Sequence, residues 1–483
     1  MLLGLDLGTG SVKALVMDEG GEARGEGTAS YAVSSPHPRW AESDPEEWWR
    51  AVSPAVRRAV GERGGEIFAL GLSGQMHGVV LSDGAGSVLR PAVLWPDRRS
   101  DRELEQYRRL GEETLRSFAN PLATGMAGPT LLWLRDHEPR AYGSAAYALQ
   151  PKDWLRLRLT DEALSEPSDA SATLLYDLER DSWSTATVRS LGLREDLLAP
   201  LVSSSAAAGI LSKEAASRLG LSEGIQVAAG AADTAAAALG CGLLEPGPVQ
   251  LNVGTGAQIL SVCSSPTTGS DIQTHLYRTA TEGPQSRYYA MAAIQNAGLA
   301  LEWARKVLNV SWDELYAEAF SAPPGAGGAV FLPYLGGERT PHFDPGARGA
   351  WTGLDLSHER AHLLRAALEG VAFSLREGLE ALGRTGIEAP QLRLAGGGTA
   401  ESPWRQLLAD VLGRPLLPFS PSVASKASAR GAALLAGLAS GVYEKRDIMA
   451  LAPETGTAVV PRNTAPYEPA YARYTELYHR LRE

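Results

Sequence analysis

Two cysteines, Cys241 and Cys263, are all that this chain of 483 residues carries. Neither belongs to a Cys-x-x-Cys pair or a Cys/His cluster, which excludes a disulfide framework and a zinc knuckle and suits a reducing compartment. The N-terminus has no basic stretch and Asp6 interrupts its first apolar run, so no secretory leader is expected there and a cytoplasmic location is. Basic charge is in deficit: 45 Lys and Arg stand against 56 Asp and Glu, a formal net charge of −11. That balance is wrong for neutralising a phosphodiester backbone, so no nucleic-acid partner is expected. A long hydrophobic run is also missing. The most apolar window, residues 225–244, is rich in Ala and Gly and has Asp233 at its middle. It reads as strand, turn and buried helix rather than a bilayer span, and no membrane partner is expected.

What is present is an ordinary folded composition, 44% apolar and 21% charged, at a length that calls for more than one core. The chain opens on strands separated by turns: LLGLDL, then VKALVMD, then ARGEGTASY, a β-meander. DPEEWW follows, with Asp44 at the N-cap, Pro45 at the first helical position and Glu47 three residues after the cap. IFALGLSG predicts a buried strand, QVAAGAA another before a helix TAAAALG, and residues 357–382 a long helix with Ser357 as its cap. The best boundary is GLLEPGPV, residues 242–249, where Pro and Gly break both periodicities. VQLNVGTGAQILSVC then repeats the opening theme of strand, Gly-Thr-Gly turn and strand.

That repetition is the most informative feature of the chain. Asp-Leu-Gly-Thr-Gly at 6–10 returns as Asn-Val-Gly-Thr-Gly at 252–256. Glycine lets backbone N–H groups approach a ligand closely, and threonine adds a hydroxyl donor, so each turn suits a polyphosphate. Two such turns facing one another would hold one nucleotide from both sides. Neither matches a P-loop, which closes on Gly-Lys-Ser/Thr and opens a helix, nor the dinucleotide fingerprint, because a strand follows each turn. A triple glycine, Gly396 to Gly398, lies between a strand and a helix and offers close backbone approach to an adenosine. Asp233, where a strand should end and a helix begin, fits both an N-cap and a general base at a cleft mouth.

SGQMHG (73–78), FLPYLGGERTPH (331–342), ALEGVAFSL (367–375) and AGGGTAESPWRQLLADVLG (395–413) resemble the FGGY family of carbohydrate kinases. SPHPRW (35–40) and PKDWLRLRLT (151–160) extend the likeness, which runs in order over essentially the whole chain. The resemblance implies an α/β fold of two actin-like, ribonuclease-H-like ATPase domains around a cleft, here residues 1–243 and 244–483. It implies ATP as co-substrate with Mg²⁺, the metal being held by Asp6 and Asp233 through water. Gly8, Thr9, Gly10, Ser11 and Lys13 would face the phosphates from one domain, and Gly254, Thr255 and Gly256 from the other. Gly298, Gly397 and Glu401 match positions near the nucleotide. Asp233 matches the catalytic base, for which an ordinary aspartate pKa suffices if the hydroxyl proton leaves late. Gln75, Met76, His77, Trp95, Asp97, Asp233 and Thr234 would contact the sugar. Within the family the likeness is strongest to the branch that phosphorylates D-xylulose at its terminal hydroxyl; another ketose or a polyol such as ribulose, glycerol or erythritol is the alternative. A homodimer is compatible with the resemblance.

The chain departs from that branch at Thr234 and Pro96, where asparagine is usual, and in SKASARGAALL (425–435). Two rival readings remain. HERAH, residues 358–362, is a literal match to the zinc-protease pattern HExxH, but no further histidine follows until His479. An actin-like ATPase without a sugar substrate would use the same nucleotide turns, yet has no need for the Gln-Met-His and Trp-Pro-Asp segments.

Overall fold

The computed structural model describes residues 1–265, 272–281 and 287–482. Strands β1 (Leu2–Leu7), β2 (Ser11–Met17) and β3 (Ala23–Ser30) form the expected antiparallel meander. Helix α1 (Pro45–Val60) follows, and β4 (Ala69–Gly74) returns parallel to β1. Beyond helix α2 (Pro151–Thr160) lie β5 (Ala207–Ile210), β6 (Gln226–Ala228) and β7 (Ala231–Ala232), the last two parallel to β4. The sheet order is β5-β6-β4-β1-β2-β3, and helix α3 (Asp233–Gly240) leaves directly from β7.

The second half builds β8 (Val249–Val253), β9 (Ala257–Cys263), β10 (His275–Arg278) and β11 (Tyr288–Ile294), then helices α4 (Gly298–Val307) and α5 (Arg360–Gly383). Next come β12 (Leu392–Ala395), α6 (Ser402–Leu412), β13 (Leu416–Pro418), α7 (Ala427–Ala439) and α8 (Glu468–Leu481). Its sheet runs β10-β11-β9-β8-β12-β13. The core of each sheet is the same: three antiparallel strands (β3-β2-β1 and β11-β9-β8), then two strands parallel to the central one (β4, β6 and β12, β13). This is the ribonuclease-H-like arrangement written twice, the actin-like architecture. The Gly-Thr-Gly phrases occupy the same place in both copies, the hairpin after the central strand.

Three local expectations change. Asp44 caps α1 by accepting from the Glu46 N–H at 3.0 Å, but Glu47 accepts from the Ala32 N–H at 3.3 Å instead of closing a capping box. Ser357 does not cap α5, because its hydroxyl and N–H are both taken by Asp355, at 2.6 and 2.8 Å. Glu359 is the cap, and the helix starts at Arg360. QVAAGAA is two strands rather than one. Gly230 stands between them at φ +85°, where a Cβ would strike the Leu72 carbonyl.

Each half lends the other a helix. Ala235 and Leu239 of α3 share one core with Leu260, Tyr289 and Met291 of the C-terminal sheet. In the other direction, α7 lies across the N-terminal sheet. A Cβ on Gly4 of β1 would collide with the Ala429 carbonyl, and one on Gly71 of β4 with the Ala432 carbonyl. The two helices also touch each other through glycine, Gly240 against Ala427 and Gly431 against Ala236. Missing side chains thus let the α7 backbone rest on the strands that carry the first phosphate turn. Gly71→Ala should therefore cost about 1–3 kcal/mol by overpacking, read from urea denaturation. Gly10→Ala, where a Cβ meets nothing, should stay within about 0.5 kcal/mol of the parent. Equal costs would contradict the close approach.

Candidate active site

The Gly8–Gly10 turn is braced from behind. The Gly8 N–H donates to the Ser11 carbonyl at 3.0 Å, and the Tyr31 hydroxyl donates to the Gly8 carbonyl. Trp95 Nε1 donates to Thr9 Oγ1 at 2.9 Å, joining the sugar-side segment to the phosphate turn. In the second turn the first residues of α4 hold the loop carbonyls: the Gly298 N–H reaches Gly254 O at 3.0 Å and the Leu299 N–H reaches Thr255 O at 2.9 Å. Gly298 thus serves the turn directly, since a Cβ there would stand 2.5 Å from Gly254 O. Gly256 is needed against the Ile294 carbonyl, which a Cβ would approach to 2.7 Å. Gly396, at φ +98°, folds the triple-glycine turn onto Val253, while Gly397 faces open space. Glu401 is exposed at the N-cap of α6 and its side chain accepts no capping hydrogen bond. Lys13 departs from expectation. It stands opposite Asp6 across β1 and β2, but its Nζ donates to the Ser425 carbonyl at 3.1 Å, tying the halves together rather than lying over the first turn.

Two aspartates meet beside these turns. Asp6 sits near the end of β1, where Ser73 Oγ of β4 donates to its Oδ1 at 2.8 Å. Burial pushes its pKa up against that hydrogen bond and against the charge of Lys13. Asp233 lies in the first turn of α3, with Ala232 rather than itself as N-cap. Burial, and after it the charge of Asp6, pushes Asp233 up to about 7; the Thr234 hydroxyl, donating to Asp233 Oδ1 at 3.1 Å, opposes the rise. The ordinary pKa expected from sequence is therefore corrected: two like charges share one buried site. A base with a pKa near the working pH suits proton abstraction.

What holds Asp233 in place is a buried charge cluster, of which only Lys152, Asp153 and Arg156 fall in the PKDWLRLRLT segment quoted from the sequence, where they carried no role. Lys152 Nζ pairs with Asp153 at 2.7 Å, Asp169 at 2.9 Å and Glu166 at 3.2 Å, all wholly buried. Burial pulls the lysine pKa down, but these three carboxylates carry it above its ordinary value. The cluster reaches the strand before Asp233 twice: Arg156 Nη1 donates to Ala229 O at 2.6 Å, and the Ala232 N–H donates to Ser168 Oγ at 2.9 Å. Ser428 at the start of α7 adds a third tie, donating to the Asp233 carbonyl at 3.2 Å.

On the sugar side, His77 adopts φ +70°, a left-handed conformation that a side-chain-bearing residue holds only when its surroundings enforce it. Its Nδ1 lies 2.8 Å from Ala172 O and so carries the proton. Burial, with the charge of Arg339 acting in the same sense, lowers its pKa to about 4. The ring is neutral at pH 7 and Nε2 is an acceptor. Gln75 donates to Gly8 O at 3.4 Å and leaves a buried Oε1 without a partner; Met76 is buried against Tyr289. Asp97 is a correction. Its Oδ1 accepts from the Arg99 N–H and Nε, both at 2.9 Å, and its Oδ2 from Arg99 Nη2 at 2.8 Å and the Ala41 N–H at 2.7 Å. Both oxygens are spent on a structural clamp, not a ligand. Pro96 is exposed. HERAH forms no metal site, since His358 and Glu359 precede the helix and His362 Nδ1 accepts from the Glu359 N–H at 3.1 Å. Sequence reasoning passed over Arg339, whose guanidinium lies 5.0 Å from the Trp95 ring.

Two ribonuclease-H-like halves, each with a Gly-Thr-Gly turn after its central strand, and an electrostatically coupled pair of aspartates mark an actin-like phosphotransferase. Residues 1–240 match the N-terminal domain, and residues 249–440 the C-terminal domain, of the FGGY family of carbohydrate kinases. The chain belongs to that family. It is 35% identical to the xylulose kinase of Escherichia coli (strain K12), covering 100% of this chain and 99% of that protein. It is 37% identical to the xylulose kinase of Klebsiella pneumoniae over 86% of each. The crystal structure of xylulose kinase from Rhodospirillum rubrum superposes with a TM-score of 0.87 at 31% identity, covering 100% and 99% of the two chains.

Two outcomes are expected. Thr234→Val removes the hydrogen bond that restrains the Asp233 pKa. Because the base acts ionised, the acid limb of the kcat/KM pH profile should move to higher pH, by up to about one unit; an unmoved limb would contradict the contact. Lys152→Met leaves buried carboxylates uncompensated and should lower stability by about 3–5 kcal/mol in chemical denaturation.

Proposed function

We propose that this carbohydrate kinase transfers the γ-phosphoryl group of ATP to the terminal hydroxyl of D-xylulose, giving D-xylulose 5-phosphate and ADP. The observation that carries the chemistry is Asp233, which burial and the charge of Asp6 push up to a pKa of about 7. The substrate rests on the xylulose kinases to which the chain is similar over nearly its full length.

The residues fit a nucleotide-bound Mg²⁺. Asp6 and Asp233 are oxygen donors, and their mutual repulsion favours a cation between them. Among the described residues no cluster of three potential ligands surrounds them, so water and phosphate oxygens would complete the shell. Bound there, the ion would neutralise phosphate charge. The Gly8–Gly10 and Gly254–Gly256 turns would hold the phosphates from opposite domains, which we assign to residues 1–243 and 244–483. Gly397 would give the adenosine a bare approach. Asp233 Oδ2, left free by the Thr234 bond to Oδ1, would take the hydroxyl proton as the new O–P bond forms and the bond from Pγ to the β-bridging oxygen breaks. His77 Nε2 would accept from a sugar hydroxyl, with Met76 and Trp95 giving apolar contact. Closure of the halves would exclude water, the competing acceptor. No described helix is long and apolar enough to cross a membrane, and we place the reaction in the cytoplasm.

ADP release should rise strongly with D-xylulose, against a panel of L-xylulose, D-ribulose, L-ribulose, glycerol and erythritol. Asp233→Asn should reduce kcat by about 10²–10⁴-fold while ATP binding, measured by calorimetry, is largely retained. A preference for a panel polyol would reject the ketose, and near-normal turnover in Asp233→Asn would reject the base.

A further inference from the structure

Arg339 is a cation without a counter-ion at the junction of the two halves. It comes from the GGERTPH segment of the C-terminal half, is half-buried, and makes no ion pair or side-chain hydrogen bond among the described residues. Its guanidinium lies 5.0 Å from the ring of Trp95, a residue of the N-terminal half. The neighbouring carboxylate, Glu338, is already engaged by the N–H groups of Gln295 at 2.6 Å and Arg339 itself at 2.8 Å, and by Asn296 Nδ2 at 3.0 Å. A desolvated guanidinium is costly unless something with lone pairs meets it.

The groups around it also lack partners. Tyr277 is wholly buried and its hydroxyl has no hydrogen bond among the described residues; its ring lies 6.1 Å from His77 and 5.4 Å from His275. His275 uses Nδ1 on Asn120 Oδ1 at 3.2 Å and leaves its buried Nε2 without a partner. After burial, the charge of Arg339 acts on the pKa of His77, His275 and Tyr277 alike, in each case downwards. Trp95 separates this cluster from the phosphate side, because its Nε1 edge holds Thr9 while its ring carries the guanidinium.

We propose that Arg339 binds the sugar at the end remote from the phosphorylated hydroxyl, donating to the carbonyl oxygen of an open-chain ketose. The inference rests on the sugar-kinase reading above and adds a residue and an orientation to it. A guanidinium only donates; a carbonyl oxygen offers its fork two in-plane lone pairs, whereas the hydroxyl of the reduced polyol accepts only by turning its own hydrogen away, so the pair favours a ketose over the polyol made by reducing it. The contact crosses the cleft, so a sugar held by His77 and Arg339 would also draw the halves together.

The experiment compares wild type, Arg339→Met and Arg339→Lys with D-xylulose as substrate and with its reduced form xylitol as competitive inhibitor. Arg339→Met should raise KM for D-xylulose by about 10–100-fold. Its KM for ATP and its inhibition constant for xylitol should stay within about threefold, and Arg339→Lys should recover part of the loss. A D-xylulose KM within twofold of wild type in both variants overturns the contact. Equal weakening of D-xylulose and xylitol overturns the carbonyl assignment. Should Arg339→Met fail to fold, Arg339→Lys still decides, because a charge without the fork should raise KM severalfold and an unchanged value rejects the proposal. Wild type active on another ketose but not on D-xylulose rejects the substrate reading, and the same variants then test Arg339 on that ketose. Wild type active on polyols alone overturns both.

Discussion

The structure depends on one electrostatic constraint: two aspartates, Asp6 and Asp233, are half-buried and close enough for the charge of one to raise the pKa of the other. Like charges in a poorly solvated place are costly, and a protein that holds them needs a cation there or a proton. Lys13 reaches Asp6 electrostatically, but its ammonium is directed to Ser425. The pair is therefore left to be neutralised by what binds. That makes the seam receptive to a metal–phosphate complex and gives Asp233 a reason to hold a proton near pH 7.

Keeping such a pair in place requires stiffness on both sides. Asp6 gains it from the centre of a sheet, where β1 is flanked by β2 and β4. Asp233 gains it from the Lys152 cluster behind β7 and from α7, which crosses over from the other half. The exchange of α3 and α7 means that each half's core is completed by the other's helix. Movement of one half is thus felt at Asp233, through Ser428 on its carbonyl. Trp95 makes a second coupling, bonded to Thr9 on the phosphate side and stacked by Arg339 from the opposite half.

Much of this was legible in the chain. The repeated Gly-Thr-Gly phrase marks the two turns because it recurs between two strands in each half, although close packing demands glycine only at Gly256. The meander, α1 and the Gly396–Gly398 turn follow from periodicity and capping. The crossing of α3 and α7 was not legible, since an Ala- and Gly-rich helix says that it is packed closely but not against which sheet. Asp97 illustrates the converse error. A buried aspartate next to a tryptophan reads as a ligand, yet Arg99, two residues on, consumes it. Ser357 looked like a cap until Asp355 claimed its hydroxyl. Arg339 and Tyr277 carry no local pattern, and only the missing partners around them point to a ligand.

The central claim is that one nucleotide is held by both Gly-Thr-Gly turns with the sugar hydroxyl at Asp233. A crystal structure with ADP, Mg²⁺, aluminium fluoride and D-xylulose tests it most directly. The account predicts phosphate oxygens in hydrogen-bond contact with Gly8–Gly10 and Gly254–Gly256 together, and the terminal sugar oxygen within hydrogen-bond distance of Asp233 Oδ2. Phosphates resting on one turn alone, or a sugar oriented with that hydroxyl away from Asp233, would contradict it.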